Sequence, residues 1–321
     1  MRLVRGVTWL VVRQHRTAIW ALLTGAVLLA GYFLIGRYGA ADAVTQQLAG
    51  CTSPATEHSR QCSDALIAFQ QEHQYPLRQP LQALALLPLV LGLFLGGPLF
   101  ASEVESGTYR TALSQSVTRT RWFLVKLAVP VTLTVLVSGL VTASVTWWWH
   151  EVAGPLGSRF PWHGWIPYDV MGPAAVAKAL LMLMAGATLS LVLRRTVAAM
   201  GATLALGAGL LLALERVRSS LWPTVITQRQ DTKASDELAD SWLLGDGLVT
   251  SSGQRVADLP QCMRAEDFQQ CLAQHGITGQ WAEHHPRSHL WPLQWMESGL
   301  CLALVALLGL ICFWWTRHRL T

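Results

Sequence analysis

Residues 171–214 read MGPAAVAKALLMLMAGATLSLVLRRTVAAMGATLALGAGLLLAL. Two apolar runs, 171–193 and 197–214, flank a short polar turn, and Lys178 is the only charged side chain inside either run. An α-helix rises 1.5 Å per residue, so a bilayer core about 30 Å thick takes about 20 apolar residues. The stretch therefore predicts two membrane-spanning helices joined by a tight turn.

The composition of the whole chain agrees with this prediction. Of its 321 residues, 52% are hydrophobic and 13% are charged, and the mean hydropathy is +0.34. An ordinary soluble domain has roughly 25% charged residues, so both a water-soluble globule and a disordered chain are excluded. The sequence predicts an all-α polytopic membrane protein with six spans, at residues 18–36, 81–101, 125–149, 171–193, 197–214 and 293–315.

The distribution of basic residues predicts the orientation. With the N-terminus inside, the cytoplasmic pieces carry 12 Lys and Arg in about 50 positions, and the outside pieces carry 11 in about 140. Cytoplasmic loops of membrane proteins retain positive charge. We therefore expect a protein of the bacterial plasma membrane with both termini on the cytoplasmic side. The net charge of +5 then reports orientation and gives no support to nucleic-acid binding.

The first apolar run could be a signal peptide, because arginines precede it and small residues follow it. Its 19 residues exceed the usual apolar core of about 7 to 15, so we interpret it as a retained span. Residues 1–17 before it alternate apolar and arginine side chains in a pattern typical of an amphipathic elbow helix at the inner lipid interface.

The predicted outside segments are 37–80, 150–170 and 215–292, and the first and third of them each contain two cysteines at short spacing. Cys51 with Cys62, and Cys262 with Cys271, suit local disulfides on the oxidising side of a membrane, the alternative being four free thiols. Residues 215–292 are too many for a plain connector and predict a small α+β outside subdomain, with a hairpin over 242–257 and a helix over 264–275. A further short helix, capped by a serine, is predicted over 63–73. Residues 293–321 form the sixth span and a cytoplasmic tail.

Catalytic and cofactor motifs are missing from the sequence. No phosphate-binding G-x-x-x-x-G-K-[ST] loop occurs, and Gly154 stands where an H-E-x-x-H motif starting at His150 needs its second histidine. The histidines near the end of the outside subdomain are best interpreted as a solvated loop. We therefore expect no enzyme activity, no metal site and no cofactor bound by this chain.

Two charged residues fall inside predicted spans at similar depth from the outer side. Lys178 and Glu297 could neutralise each other, or each could extend to the interface. Small residues at helical spacing mark close contacts between helices, within one subunit or, as we favour for the fifth span, across a dimer axis. These small residues are Gly92, Gly96, Gly201, Ala205 and Gly209.

The most specific pattern lies between the second and third spans, at residues 102–124. The match comprises Glu105, Gly107, Thr108, Leu113, Ser116, Val117, Thr118, Arg119 and Lys126. It resembles the E-x-G-T…L…P/S-V-[ST]-R…K pattern of type-2 ABC exporter permeases. Residues 193–196 and 291–299 are similar to an actinobacterial subgroup.

The resemblance implies a dimer of permease subunits, each bound to a separate ABC ATPase that holds ATP and Mg. We favour a homodimer over a heterodimer, and the resemblance leaves both open. In that family the loop after the second span is a coupling helix that docks on the ATPase. We expect Glu103 and Glu105 to engage basic residues of the ATPase, and Arg110, Arg119 and Arg121 to engage acidic ones. The arginines could instead serve only topology.

The resemblance implies ATP-driven export. Spans that lack a charged lining favour an apolar or amphipathic substrate such as a lipid, peptide or antibiotic. The alternative from another class is a non-transporting receptor or immunity protein that binds a peptide through its outside loops. A neighbouring reading frame with ATPase motifs would favour the exporter.

Overall fold

The computed structural model describes residues 13, 16–51, 59–108, 118–156, 160–229, 238, 240–256, 259, 261–262 and 267–318. Most of the predicted elbow helix, residues 1–17, lies outside this range. So do residues 109–117 of the predicted coupling helix, including Arg110. The side chain of Arg119 is also not described.

Six helical segments are long and apolar enough to cross a membrane. They are Arg16–Gln47, Tyr75–Ser106, Thr120–Leu156, Gly172–Leu193, Thr196–Arg218 and Arg287–His318. Each matches one of the six predicted runs, with Met171 of the fourth run as the N-cap of its helix, so the prediction of a mostly helical, multi-pass protein is confirmed. Several segments extend beyond the apolar run, because a helix continues into water wherever its polar turns still pack on a neighbour.

The helices are numbered here in chain order. They are α1 (Arg16–Gln47), α2 (Arg60–His73), α3 (Tyr75–Ala85), α4 (Leu87–Leu91), α5 (Ala101–Ser106), α6 (Arg119–Leu156), α7 (Trp165–Val170), α8 (Gly172–Leu193), α9 (Thr196–Arg218), α10 (Phe268–Gln274) and α11 (Leu290–His318).

Helix α8 is the centre of the fold. It contacts α6, α9 and α11 as well as the second span, and most of its apolar length is buried inside the protein. Its inward positions include many small residues, which let neighbouring backbones approach closely in the way that membrane helices favour. Four of the other five spans therefore pack around α8, whereas the first span packs mainly on the third.

The second span is broken, although its sequence was interpreted as one continuous run. Leu86 separates α3 from α4, because Pro88 has no N–H to continue the helical hydrogen bonds. A π-helical turn, Gly92–Gly96, follows, and a turn at residues 97–100 leads into α5. Such breaks are common at functional sites in membrane proteins, where neighbouring helices satisfy the freed backbone groups.

The first outside segment contains α2 and a cysteine pair. Cys51 and Cys62 are bonded, with their Cα atoms 5.5 Å apart. The predicted helix over 63–73 begins earlier than expected, because Ser59 and not Ser63 is its N-cap, with the Ser59 hydroxyl accepting a hydrogen bond from the Cys62 N–H at 3.2 Å.

The second outside segment contains a four-stranded antiparallel sheet. The strands are β1 (Val225–Arg229), β2 (Trp242–Thr250), β3 (Arg255–Val256) and β4 (Ile277–His285), in the spatial order β1-β4-β2-β3. The β2–β3 hairpin confirms the predicted one, while β1 and β4 were not predicted. Cys262 and Cys271 are bonded beside α10, whose predicted first residues lie outside the described range.

Aromatic and histidine side chains fix the sheet to the membrane helices. The rings of Trp242 and His163 stack, with centroids 5.7 Å apart, and the His285 imidazole donates from Nε2 to the Ser219 carbonyl at 2.9 Å. Burial lowers the pKa of His163, although the charge of Asp240 acts in the opposite direction, so this imidazole is neutral at pH 7. The histidines interpreted as a solvated loop are thus partly packed: His284 and His285 are buried.

Candidate functional site

The end of the second span is bound to the start of the third by a group of residues that we call the Glu103 brace: Leu99, Glu103, Trp122 and Lys126. Glu103 forms an ion pair with Lys126, Oε1 to Nζ, at 2.8 Å. The Trp122 indole donates to the other carboxylate oxygen at 3.3 Å, and Lys126 donates to the Leu99 carbonyl at 2.8 Å. Because Lys126 is buried, these partners are what make its charge tolerable.

The brace rests on packed aromatic rings. Phe100 stacks on Phe123 with centroids 5.6 Å apart and contacts Trp122 at 5.5 Å. The Lys126 ammonium lies 5.4 Å from the Trp122 ring and 5.7 Å from the Phe100 ring, close enough for cation–π attraction. The two ends of the loop at residues 102–124 are therefore held together by buried, packed side chains.

A second contact ties the same segment to the fifth span. The Glu105 carboxylate accepts a hydrogen bond from the Thr196 N–H at 2.9 Å, at the first turn of α9. The N-cap residue of that helix, Arg195, makes no side-chain capping bond. A carboxylate satisfies a free N–H and is attracted by the positive end of the helix dipole, so Glu105 supplies the missing cap from 91 residues away.

The chain then leaves α5 through Gly107. Gly107 has φ of 74°, in the left-handed region that favours glycine, and it is the C-cap of α5. The hydroxyls of Ser106 and Thr108 lie 2.9 Å apart at this turn. The structure thus brings together four of the residues in the predicted ATPase-coupling set, namely Glu103, Glu105, Gly107 and Thr108.

The remaining members of that set are placed differently or not described. Arg121 is exposed on the first turn of α6, whereas Arg110 and the Arg119 side chain lie outside the described part of the chain. Glu103 and Glu105 have partners within this chain, which the sequence interpretation did not foresee. The sequence interpretation also missed Trp122. Its position was a usable signal, because it lies one helical turn before Lys126, the lysine of the family pattern.

A second polar site lies at the opposite end of the membrane segment. We call it the charge cluster: Asp169, Lys178, Arg218 and Glu297, from α7, α8, α9 and α11. Lys178 Nζ lies 2.8 Å from Glu297 Oε1 and 2.5 Å from Asp169 Oδ1. Arg218 contacts the same two acids, at 2.5 Å to Asp169 Oδ1 and 3.5 Å to Glu297 Oε2.

The charge cluster is neutral and largely buried, although the Asp169 side chain is 19% exposed. Glu297 is 0% exposed, Lys178 and Arg218 are 3% exposed, and two cations balance two anions. The Tyr168 ring lies 4.0 Å from the Arg218 guanidinium, and Gln294 joins the Tyr168 carbonyl to the Ala174 N–H. Such a cluster joins four helices, and removing one partner leaves an uncompensated buried charge.

The sequence predicted only half of this cluster. Lys178 and Glu297 were the candidate pair, while Asp169 and Arg218 were counted with the outside loops. Asp169 lies two residues before one predicted span and Arg218 four residues after another, so both fall within a helical turn of the boundary. Charges that close to a span end were the signal that could have indicated a larger cluster.

The predicted small residues divide into two groups. Gly92 and Gly96 are buried against α8, where a Cβ on Gly96 would lie 2.5 Å from the Leu183 carbonyl oxygen. The second-span glycines therefore pack within the subunit. Gly201, Ala205 and Gly209 are exposed on α9, and nothing lies within 4 Å of a Cβ built on either glycine. Their role across a dimer axis stays a prediction.

Metal-ligand atoms cluster at one place in the described residues. Atoms of Cys262, Cys271 and His275 lie within 4.8 Å of one another. Both sulfurs are bonded in the disulfide, so neither is a thiolate able to bind a metal.

Comparison with known proteins gives one match. A family model described as ABC-2 membrane transporter related matches residues 23–218, which is more than half of the chain. The matched range includes five spans, the Glu103 brace and three residues of the charge cluster. No curated protein and no solved structure matches the chain.

Proposed function

Because this chain belongs to the ABC-2 membrane transporter related family, we propose that it is the membrane-spanning permease subunit of an ATP-driven exporter. The family implies transport and an ABC ATPase partner. ATP and Mg are bound and used by that separate subunit, and this chain supplies the route through the membrane. The observation that supports the proposal most is that the segment after the second span is fixed to two other spans, to the third by the Glu103 brace and to the fifth by the hydrogen bond from Thr196 to Glu105.

The orientation follows from charge and from the two ends of the structure. The Glu103 brace and the 194–196 turn lie at one end, since Glu105 contacts Thr196. The charge cluster and the disulfide-bonded segments lie at the other end. The basic residues around the Glu103 brace favour the cytoplasmic side for this end of the molecule. In this proposal both termini lie on the cytoplasmic side of a bacterial plasma membrane.

The brace suggests how the ATPase acts on the spans. In this proposal residues 107–118 dock on the ATPase, with Arg110, Arg119 and Arg121 attracted by acidic side chains there. Glu103 and Glu105 then serve to position that segment, and engage the ATPase less directly than the sequence suggested. A push on the segment is passed to the third span through Lys126 and to the fifth span through Thr196.

The substrate class follows from the polarity of the spans. In the described segments the deeply buried charges belong to the Glu103 brace or to the neutral charge cluster, so a strongly charged substrate finds few partners along the helices. An apolar or amphipathic molecule such as a lipid, peptide or antibiotic suits this interior. A second copy of the chain, packed on the exposed α9 face, would complete the pathway, and the actinobacterial subgroup stays a prediction.

We expect Glu103→Gln to reduce the amount of ABC ATPase that co-purifies with the chain by at least fivefold. The amide keeps the shape of the side chain but loses the charge that balances buried Lys126, so the docking segment is no longer held in place. The measurement is the ratio of ATPase to permease after affinity purification from cells that express both.

Glu151→Gln is the matched control. Glu151 pairs with Arg37 at 2.6 Å between the first and third spans, near the other end of α6. It should retain wild-type ATPase binding. Equal loss from both variants would mean that the effect is general destabilisation, and no loss from Glu103→Gln would contradict the docking proposal.

A further inference from the structure

A cavity of about 310 Å³ lies at the charge-cluster end of the molecule, between the α2–α3 junction and residues 160–167. One wall carries Gln74, Tyr75 and Arg78, and the facing wall carries Phe160, Pro161 and Pro167. Ligand pockets in proteins span about 300 to 1,000 Å³, so this cavity can hold a small molecule or the head of a larger one. Neither the brace nor the charge cluster contributes a residue to it.

The polar wall contains two side chains, Arg78 and Gln74, that lack polar partners among the described residues. Arg78 is exposed, forms no ion pair or hydrogen bond with any described residue, and is the only charged side chain among the described lining residues. Gln74 lies one helical turn earlier, and its side-chain oxygen is buried without a hydrogen-bond partner. A buried acceptor without a donor is costly, so a ligand that donates a hydrogen bond is favoured once the Gln74 side chain turns its oxygen toward the cavity.

The facing wall is apolar and suits the apolar part of a ligand. Phe160 is buried, with its ring 5.9 Å from that of Trp148, and the two prolines restrict the backbone beside it. A rigid apolar wall opposite a cation and an amide is the usual composition of a site for an amphipathic molecule.

We propose that this cavity binds an amphipathic organic anion that also carries a hydrogen-bond donor. Its acid group pairs with Arg78, its donor group bonds to the Gln74 oxygen, and its apolar part packs on Phe160 and the prolines. A lipid head such as that of phosphatidylglycerol has this chemistry, and so does a water-borne N-acyl amino acid. The proposal does not depend on ATP-driven transport, because the site needs no ATPase.

The experiment uses the full chain in nanodiscs of neutral phosphatidylcholine. N-dodecanoylglycine, which has a carboxylate, an amide N–H and an alkyl chain, is titrated by calorimetry. We expect saturable binding to the wild type and at least tenfold weaker binding to Arg78→Gln, because a charge-assisted hydrogen bond is lost. Arg60→Gln is the matched control, since Arg60 is an exposed arginine on α2 that does not line the cavity.

A second arm tests the lipid source. Phosphatidylglycerol is added to the nanodiscs, and its retention by the released protein is measured by native mass spectrometry. Retention by the wild type and by Arg60→Gln, but not by Arg78→Gln, would assign the site to a membrane lipid. Dependence on Arg78 for the N-acyl amino acid alone would assign it to a water-borne acid.

The proposal is overturned if neither probe binds, or if both probes bind Arg78→Gln as tightly as the wild type. Because Arg78 is exposed and unpaired in the described structure, its replacement should leave the melting temperature unchanged. Thermal melts of all three proteins therefore separate a lost site from a lost fold.

Discussion

Replacing Glu297 by glutamine should destabilise the protein by about 3–5 kcal/mol, the cost measured when one partner of a buried ion pair is removed. Glu297 is fully buried and faces both Lys178 and Arg218. Without it, two buried cations share the single carboxylate of Asp169, and the remaining positive charge has no compensation in a low-dielectric interior. The measurement is the free energy of unfolding by denaturant in detergent micelles.

The double variant Lys178→Met with Glu297→Met tests whether the loss of charge balance, and not the loss of Glu297 itself, causes the destabilisation. It removes one cation and one anion, leaving Arg218 paired with Asp169, so it should be less destabilised than Glu297→Gln. The control is Glu215→Gln, which alters an exposed carboxylate one turn from Arg218 on α9 and should change stability by about 0.5 kcal/mol or less. A Glu297→Gln protein as stable as the wild type would show that the charge cluster does not hold the four helices together.

Enlarging Gly96 should have the second large effect. A Cβ at this position would lie 2.5 Å from the Leu183 carbonyl oxygen and 3.1 Å from the Gly186 Cα, and neither backbone atom can turn away. The second and fourth spans must therefore separate. We expect Gly96→Ala to cost about 1–3 kcal/mol and Gly96→Leu to prevent recovery of folded, monodisperse protein by size-exclusion chromatography.

Gly31→Ala provides the comparison on the first span. A Cβ at Gly31 meets nothing within 4 Å, and alanine favours a helix over glycine by roughly 1 kcal/mol, so this variant should be as stable as the wild type or more stable. If Gly96→Ala behaved in the same way, the close contact between the second span and α8 would be wrong.

The sequence predicted the spans because their signal is local. A long apolar run such as 171–193, in which Lys178 is the only charged residue, has no alternative to burial in lipid or protein, and Arg194 marks its end. The breaks in the second span were less accessible. Pro88 was visible, but a proline can also lie within a continuous membrane helix, and only the packing against α8 decides where the helix is interrupted.

The outside sheet could be predicted only in part for a related reason. The hairpin of β2 and β3 has a turn between neighbouring strands, which the sequence shows. Strand β4 reads ITGQWAEHH, a polar segment whose strand conformation depends on pairing with residues 225–229 and 242–250, far away in the chain. The alternation of apolar and polar residues within one segment does not indicate such long-range pairing.

The candidate site shows the same limit. Family resemblance identified Glu105 and Lys126 as notable, but their partners are set by tertiary structure. The contact from Glu105 to Thr196 joins residues 91 positions apart, and the charge cluster joins four helices. Residue types at single positions cannot distinguish a carboxylate that faces an ATPase from one that caps a helix of its own chain.

Site-specific photo-crosslinking in intact cells tests the central proposal most directly. The crosslinking amino acid p-benzoylphenylalanine replaces Thr108, which is exposed near the start of the docking segment, or Ser252, which is exposed in the turn between β2 and β3. Our account predicts an adduct from position 108 with a protein that carries the phosphate-binding loop of an ABC ATPase, identified by mass spectrometry, and no such adduct from position 252. An ATPase adduct at position 252, or none at position 108, would contradict it.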